Sequence, residues 1–152
     1  MVKIRKATQN DLRKVQELNL MLFQWDSQFD NALNMEWTFG KVGESYFRDM
    51  IQNEFVVVAQ AQDNVVGYLA GSLHNEKHYS TEIYAELDNM FVLEEWRKHG
   101  VGKALIQEFF NQCEVKGIKA IRVTASAKNQ GAIEFYKRNG FTEFDITLRK
   151  RS

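Results

Sequence analysis

Residues 97–102 read Arg97-Lys98-His99-Gly100-Val101-Gly102, and they stand between a predicted strand and a predicted helix. Two glycines at the start of a helix let the backbone approach a ligand closely and leave several N–H groups directed at it. Those groups and the positive end of the helix dipole attract an anion, and Lys103 adds a further positive charge. The stretch therefore predicts an anion site, with an ordinary turn and solvated lysines as the alternative.

Two common phosphate-binding loops do not fit this stretch. A P-loop needs a glycine five residues before Gly102, where Arg97 stands, and a Ser or Thr after Lys103, where Ala104 stands. A dinucleotide-binding fingerprint that begins at Gly100 needs its third glycine at position 105, which is Leu105. Nucleotide binding by this loop is therefore a weak hypothesis.

Hydrophobic periodicity on both sides of the loop predicts strands and helices in the order βα(α)βββαβαβ. The predicted strands are residues 2–6, 55–60, 65–72, 83–93, 118–124 and a closing strand at 141–148. The predicted helices follow a cap at Thr8 or Asn10 and then cover residues 46–51, 100–115 and 130–139. This order is an α/β mixture that is too irregular for a pure Rossmann repeat.

The loop and its surroundings resemble the Gcn5-related N-acetyltransferase (GNAT) superfamily, whose cofactor loop reads Arg/Gln-x-x-Gly-x-Gly/Ala. Every fixed position of that pattern matches at residues 97–102. Upstream, a strand ends at Met90-Phe91-Val92, five residues before Arg97. Downstream, the family stretch Asn-x-x-Ala-x-x-x-Tyr-x-x-x-Gly-Phe is matched by Asn129, Ala132, Tyr136, Gly140 and Phe141.

The resemblance implies an α/β (α+β) fold, the GNAT fold, in a single domain over residues 1–152. Its central sheet would be mixed, mostly antiparallel and built of six to seven strands, flanked by about four helices. Two neighbouring strands would splay at the cofactor site, and the unpaired backbone there would bind the pantetheine arm like an added strand.

The resemblance also implies an acetyl-CoA-dependent N-acyltransferase that passes the acetyl group directly to a primary amine, of a small molecule or a protein, in a ternary complex. An acyl-CoA-binding sensor or interaction module without turnover is the alternative. The expected cofactor-binding residues are Phe91, Val92, Arg97, Lys98, His99, Gly100, Val101, Gly102, Lys103, Asn129, Ala132 and Tyr136.

Tyr136 is the candidate acid that protonates the leaving sulfur. Asn129 is expected to cap the helix, and Tyr136 stands seven residues later, nearly two helical turns on, so both share one side of the helix. A tyrosine hydroxyl has an ordinary pKa near 10, above that of a thiol, which suits this role. The alternative is an aromatic side chain that fills the core.

Glu86 is the first candidate for the base that takes the proton of the amine. It stands 11 residues before Arg97, the spacing at which related histone acetyltransferases place their glutamate. In a regular strand one face carries Tyr84, Glu86, Asp88, Met90 and Val92, and the other carries Ala85, Leu87, Asn89 and Phe91. A β-bulge would exchange the two faces. Asp88 and water are the alternatives.

The acceptor site is expected among residues 20–53 and the loop 74–82, where periodicity is weakest. Three acidic residues there lie beside three aromatic ones and suit a cationic amine: Asp26, Asp30 and Glu36, with Trp25, Phe29 and Trp37. Alternatively, these aromatic residues pack two helices together or form a dimer contact, so a homodimer is among the expected states. His74 and His78 are expected at the surface.

Composition excludes several classes of protein. The net charge is zero, which leaves no footprint for nucleic acid, although residues 1–93 carry 8 Lys/Arg against 13 Asp/Glu and residues 94–152 carry 12 against 7. No apolar stretch reaches about 18 residues, so no membrane span is predicted. The single cysteine, Cys113, favours a reducing, cytoplasmic setting and is expected in the core. No metal site is predicted.

Overall fold

One five-stranded sheet with the order β1-β2-β3-β4-β5 organises the protein in the computed structural model, which describes residues 1–75 and 80–152. The strands are Val2–Lys6 (β1), Phe55–Ala61 (β2), Asn64–His74 (β3), Tyr84–Val92 (β4) and Ala120–Val123 (β5). The helices are Leu12–Asp26 (α1), Lys41–Asn53 (α2), Val101–Val115 (α3) and Gln130–Arg138 (α4). Short 3₁₀ turns cover Gln9–Asp11 and Glu94–Trp96.

The sheet is mixed and mostly antiparallel, as the sequence predicts. Strands β1 to β4 pair antiparallel, and β5 joins β4 in parallel, from Tyr84 with Ala120 to Leu87 with Val123. Strand β4 nevertheless continues to Val92, which still pairs with Gly67 of β3. The last part of β4 therefore has β3 on one side and no paired strand on the other among the described residues, which is the expected splay.

Helix α3 packs on one face of the sheet through the predicted apolar stripe. Val101, Leu105, Phe109 and Cys113 are all buried. Phe109 occupies the space above Gly71, where an added Cβ would lie 2.5 Å from its ring. Helices α1 and α2 cover the opposite face, so the sheet has one helical layer on each side.

A β-bulge in β4 corrects the predicted assignment of its two faces. Ala70 of β3 pairs with Asn89 and Gly71 pairs with Leu87, which leaves Asp88 as an extra residue in β4. Beyond the bulge, Met90 packs in the α3-side core together with the buried Leu87. Met90 and Val92 therefore do not share the face of Glu86, as strict alternation predicted.

The start of α1 is held by a partly buried ion pair that ties it to β1. The carboxylate of Asp11 accepts hydrogen bonds from Arg5 Nη1 at 2.8 Å, from Arg5 Nη2 at 2.9 Å and from the backbone N–H of Thr8 at 2.8 Å. These bonds, those from Arg5 first, lower the pKa of Asp11. Thr8 is the N-cap of the 3₁₀ turn that leads into α1, as predicted.

The predicted closing strand at residues 141–148 is wrong for the single chain. The described chain pairs no residue beyond Val123 in the sheet, so the sheet has five strands rather than six to seven. Phe144, Ile146 and Leu148 are largely exposed. Apolar alternation is a local pattern, whereas a strand also needs backbone pairing with a neighbouring strand, and residues 141–148 make no such pairing among the described residues.

The remaining elements differ from the prediction in length. Helix α2 spans Lys41–Asn53 rather than residues 46–51 alone, and α1 continues to Asp26. Residues 76–79, which include His78 of the predicted acceptor loop, lie outside the described residues. Over the described ranges, no helix is long and apolar enough to cross a bilayer.

Candidate functional site

The unpaired edge of β4 presents backbone groups toward a groove. Leu93 N–H donates to Val66 O at 2.9 Å, and Phe91 pairs with Tyr68. The backbone groups of Phe91 and Leu93 therefore point toward β3. In an antiparallel ladder the alternate residues point to the other edge. Met90 and Val92 therefore direct their backbone groups away from β3, where β5 no longer follows.

The loop at residues 97–102 has the backbone geometry of an anion cradle. Lys98 and Gly100 have positive φ angles of 62° and 79°, and Gly100 is the N-cap of α3. The first intrahelical bond runs from Ala104 N–H to Gly100 O at 3.0 Å. The N–H groups of residues 101–103 precede it and have no partner within the helix. This end of α3 therefore suits an anion, as the sequence predicts.

Gly102 brings the start of α3 against α4 and the end of β4. A Cβ at Gly102 would lie 3.1 Å from Phe135 Cζ and 3.8 Å from Met90 Cε. A larger residue would push α4 away, so the second glycine of the loop has a packing reason as well. Loop, strand end and α4 therefore meet at one place.

Arg97 makes contacts that the sequence did not suggest. Its Nε donates to Val92 O at 2.9 Å. Its guanidinium carbon lies 4.9 Å from the ring centroid of Phe91 and 5.3 Å from that of Trp25. Arg97 therefore joins the end of β4 to the end of α1, while Lys98, His99 and Lys103 are exposed around the helix start.

Helix α4 begins as predicted and carries Tyr136 into the protein. Asn129 Oδ1 accepts the backbone N–H of Ala132 at 3.1 Å, so Asn129 is the N-cap. The Tyr136 ring contacts Phe135 and Phe141 at centroid distances of 5.5 and 5.7 Å. Burial, and secondarily the charge of Asp26, raises the pKa of Tyr136 to about 12.

Asp26, at the end of α1, is thereby placed near Tyr136. Burial raises the pKa of the Asp26 carboxyl group, and its charge also acts on Tyr68. Of the three acidic residues considered for the acceptor site, Asp26 is the one that interacts with Tyr136. Asp30 lies 3.9 Å from Arg149, and Glu36 is exposed.

A hydrogen-bond network lines the α1/α2 face of β4 at the bulge. Asp88 accepts the hydroxyl groups of Tyr46 and Ser72, both at 2.8 Å. Asn89 donates to Tyr46 Oη at 3.2 Å and accepts the Tyr68 hydroxyl at 2.6 Å. The bulge makes this possible, because it turns two successive polar residues toward the same helices.

The network continues into the interior through Asn19. Asn19 Nδ2 donates to Tyr68 Oη at 3.0 Å, and Asn19 Oδ1 accepts the Thr38 hydroxyl at 2.7 Å. Asn19, Thr38 and Tyr68 are fully buried. Desolvation raises the pKa of Tyr68 and, at the outer end, that of Tyr46. Sequence reasoning missed these partners; the adjacent polar pair Asp88-Asn89 in an alternating strand was the available signal.

Glu86 lies at the outer end of the same face. Its Oε2 is 3.4 Å from His74 Nε2, and its side chain is 33% exposed. One ligand atom each of His74, Glu86 and Asp88 lies within 4.8 Å of the others. Both oxygens of Asp88 already accept hydrogen bonds. Hydrogen bonding in a polar pocket is therefore enough to explain why these three side chains lie close together. The expectation of no bound metal stays a prediction.

Trp37 and Cys113 are packing residues rather than parts of the candidate site. The Trp37 ring stacks on Phe23 at 5.7 Å and contacts Tyr46 and Phe47 at 5.3 and 5.7 Å, so it packs α1 against α2, the alternative considered from the sequence. Cys113 is 1% exposed, and burial raises its pKa to about 11. A buried, protonated thiol is the predicted core residue rather than a nucleophile.

Comparison with known proteins agrees with this geometry. The sequence profile of the "Acetyltransferase (GNAT) family" matches residues 19–141. An N-acetyltransferase of Methanocaldococcus jannaschii, itself described as uncharacterised, is 27% identical over 145 residues. That match covers 94% of this chain, and the chain spans only 62% of the length of that relative.

Solved structures share the fold at low sequence identity. A Bacillus halodurans protein, determined as a tetramutant, superimposes with a TM-score of 0.86 at 20% identity and covers 99% of each chain. Aminoglycoside N-acetyltransferase AAC(6')-Iy in complex with CoA gives 0.77 at 18%, covering 100% of this chain and 95% of that one. An aminoglycoside acetyltransferase from an uncultured soil metagenomic sample gives 0.72 at 24%, covering 99% and 95%.

Proposed function

The chain belongs to the acetyltransferase (GNAT) family, and we propose that it transfers an acetyl group from acetyl-CoA to a primary amine by direct attack in a ternary complex. We further propose that residues 1–152 form one N-acetyltransferase domain. The observation that carries the proposal is the meeting of three parts at Gly102. There the helix start, the free end of β4 and the helix that bears Tyr136 lie in contact distance.

The residues around this groove fit an acyl-CoA chemically. The N–H groups of residues 101–103, with exposed Lys98 and Lys103, suit a pyrophosphate. The backbone groups of Met90 and the N–H of Val92 suit the amide groups of a pantetheine arm, while the carbonyl of Val92 already accepts from Arg97 Nε. The bound thioester supplies an activated acyl group. We assign the same lining role to Phe91, His99, Asn129 and Ala132.

The proposed transfer balances as follows. The ammonium group loses one proton to the base, the amine nitrogen attacks the carbonyl carbon, and the nitrogen of the tetrahedral intermediate loses a second proton to solvent. The carbon–sulfur bond then breaks, the Tyr136 hydroxyl gives its proton to the sulfur and regains one from solvent, and one proton is released overall. A pKa of about 12 keeps this hydroxyl protonated at neutral pH. The backbone N–H of Val92, which points to the free edge, is the proposed donor to the carbonyl oxygen.

Glu86 remains the proposed base, with Asp88 and water as alternatives. The Glu86 carboxylate lies 3.4 Å from His74 Nε2, and a third of the Glu86 side chain is exposed to solvent. Asp88 is less free, because Tyr46 and Ser72 each donate a hydrogen bond to it. These two hydrogen bonds occupy both carboxylate oxygens of Asp88, so Glu86 is the more available of the two carboxylates.

The acceptor is proposed to be a cationic amine. Three carboxylates, those of Asp26, Glu86 and Asp88, are partly buried on the α1/α2 side of the site. Negative charge there attracts an ammonium group before it loses its proton. Aminoglycosides belong among the amines tested, since two of the similar structures are aminoglycoside acetyltransferases. The predicted cytoplasmic setting and the expected absence of nucleic-acid and membrane partners stay predictions.

The test is the release of free CoA thiol from acetyl-CoA with a panel of polyamines, aminoglycosides and lysine peptides, followed by the mass of the product. Tyr136→Phe should lower turnover by about 100-fold or more, as expected for a lost general acid, while acetyl-CoA affinity is unchanged. Tyr84→Phe is the matched control, because it removes a tyrosine hydroxyl but keeps the ring that contacts His74 and Arg122, and it should retain full turnover.

Three outcomes would count against parts of the proposal. Thermal stabilisation by acetyl-CoA without thiol release with any amine would favour the sensor alternative. Equal turnover of Tyr136→Phe and wild type, with chemistry limiting the rate, would remove Tyr136 as the acid. An unchanged pH–rate profile in Glu86→Gln, set beside a changed one in Asp88→Asn, would transfer the role of base to Asp88. Stabilisation by ATP or NAD rather than acetyl-CoA would exclude the cofactor.

A further inference from the structure

We propose that His74 is a positioning residue for Glu86, whose carboxylate it holds through Nε2 so that one oxygen stays turned toward the amine. The inference rests on the proposed role of Glu86 as base. The sequence predicts His74 at the surface. In the structure its side chain is 41% exposed, and its Nε2 contacts Ser72 and Glu86.

Two neighbouring strands bring these side chains to one face of the sheet. Ser72 of β3 pairs with Glu86 of β4, and His74 pairs with Tyr84, which is the next position on the same face. His74 and Glu86 are therefore diagonal neighbours, at a separation that long side chains bridge. Both pairs lie before the bulge at Asp88, so the alternation of faces is regular there.

The plane of the His74 ring is fixed by stacking. It lies on the Tyr84 ring at a centroid distance of 4.9 Å and an interplanar angle of 1°. The guanidinium carbon of Arg122 lies 3.7 Å from the centroid of the same Tyr84 ring, so Tyr84 is itself held in place. The stack leaves the edge of the imidazole for polar contacts. Its Nε2 lies 3.1 Å from Ser72 Oγ and 3.4 Å from Glu86 Oε2.

The directions of the neighbouring hydrogen bonds place the hydrogen of a neutral His74 on Nε2. The Ser72 hydroxyl donates to Asp88 Oδ1 at 2.8 Å, and a bond to a carboxylate is stronger than one to a neutral ring. The Ser72 oxygen is therefore left as an acceptor toward His74, and the ionised carboxylate of Glu86 only accepts. Since both neighbours of Nε2 are acceptors, Nε2 carries the hydrogen and shares it between them.

Arg122 does not take this role, although it stands opposite Glu86 in the pairing of β4 with β5. Its guanidinium lies on the Tyr84 ring, and its Nη2 is 3.5 Å from Glu82. Among the described residues, the basic side chain within 4.0 Å of the Glu86 carboxylate is that of His74, at 3.4 Å. His74 is therefore the group that orients this carboxylate.

The contact gives the two oxygens of Glu86 different roles. Oε2 stays against the N–H of His74, and Oε1 takes the proton of the amine. The hydrogen of His74 remains on Nε2 throughout, so His74 is not itself the base. Glu86 then passes its proton to solvent, to which a third of its side chain is exposed.

The first experiment compares single and double variants by the release of CoA thiol with an amine that the panel identifies. His74→Leu should lower kcat by about 10-fold, less than the roughly 100-fold cost of losing a general base, with KM for acetyl-CoA unchanged. His74→Gln, whose side-chain N–H replaces that of Nε2, should restore most of the loss. In a Glu86→Gln background His74→Leu should have no further effect, because the two groups act as one unit.

Glu54→Gln is the matched control background. Glu54 accepts the N–H of Leu73, the neighbour of His74, at 3.0 Å, and the amide oxygen of glutamine accepts the same bond. The loss on His74→Leu should therefore keep its full size there. Additive losses in His74→Leu and Glu86→Gln, or full activity of His74→Leu, would overturn the positioning role alone. Full activity of Glu86→Gln would instead remove Glu86 as the base, and the role of His74 with it.

The second experiment does not use turnover, so it tests the contact even if no amine is acetylated and the proposed function fails. Nitrogen-15 NMR of the full chain at about pH 8.5, above the ordinary titration range of histidine, reports which ring nitrogen carries the hydrogen. The signal of His74 is assigned by its loss in His74→Gln. We expect the hydrogen on Nε2. A ring with its hydrogen on Nδ1 would reject the contact with Glu86.

Discussion

The two faces of β4 are built in different ways. On the α3 side, Leu87 and Met90 join a dry core that centres on Phe109 and Leu105. On the α1/α2 side, the same strand holds a hydrogen-bond chain that leads from Asp88 to the buried Asn19. The bulge at Asp88 produces this difference, because it moves Met90 to the apolar face and leaves Asp88 and Asn89 together on the polar face.

The apolar face contributes most to stability, whereas the polar face carries the groups proposed for chemistry. Apolar packing is non-directional and tolerates small shifts, whereas a buried polar network stabilises only if each donor and acceptor has its partner. The proposed base and acceptor carboxylates lie on the polar side, and the proposed acid Tyr136 approaches from α4. The following predictions test whether the two faces respond as differently as their construction suggests.

The largest expected effect is on the apolar face. Phe109→Ala should lower the free energy of unfolding by about 3–5 kcal/mol, since it removes a fully buried ring that packs on Phe55 and above Gly71. Denaturant unfolding measures the change. Phe110→Ala is the control on the next position of the same helix, where the side chain is only half-buried, and it should cost clearly less. Equal losses would mean that α3 is not held through the predicted stripe.

A smaller effect is expected on the polar face. Tyr68→Phe keeps the ring but removes a hydroxyl that accepts from Asn19 and donates to Asn89. Leaving these buried amide groups unsatisfied should cost about 1–3 kcal/mol of unfolding free energy. Tyr84→Phe, at a half-buried position, is the control and should cost less than about 0.5 kcal/mol. If Tyr68→Phe is as stable as wild type, the network contributes no net stability.

The smallest effect concerns alkaline pH. The pKa of Tyr68 is raised in the folded protein, mainly by burial. Above about pH 10 the unfolded tyrosine loses its proton while the folded one keeps it, so the unfolded state binds fewer protons and stability falls as pH rises. This single group should cost about 0.8 kcal/mol by about pH 10.5.

The loss of unfolding free energy at alkaline pH should differ between a variant of the apolar face and a variant of the polar face. Phe109→Ala keeps every buried tyrosine, so its unfolding free energy should fall with pH as steeply as that of wild type. Tyr68→Phe lacks one such group and should fall less steeply above about pH 10. Parallel curves for all three proteins would show that the Tyr68 hydroxyl is not protected in the folded state.

Local sequence signals predicted much of the fold and one side of the candidate site. The apolar stripe of α3, the cap at Asn129 and the glycine loop at the start of α3 depend on interactions within a few residues. The sequence allows a bulge that exchanges the faces of β4 but does not determine its position. Its position depends on how β3 and β4 fit together, because only the pairing of Ala70 with Asn89 and Gly71 with Leu87 leaves Asp88 over.

Most of the elements, the glycine loop and the family resemblance follow from the sequence, because periodicity, caps and backbone freedom are properties of short stretches. Which groups meet depends on the packing of the elements. It brings Asp26 of α1 near Tyr136 of α4 and joins Asn19, Tyr68 and Asn89 in one network. It also leaves residues 141–148 without a strand to pair with. Such contacts join residues far apart in the chain, so they depend on how whole elements pack rather than on any local pattern.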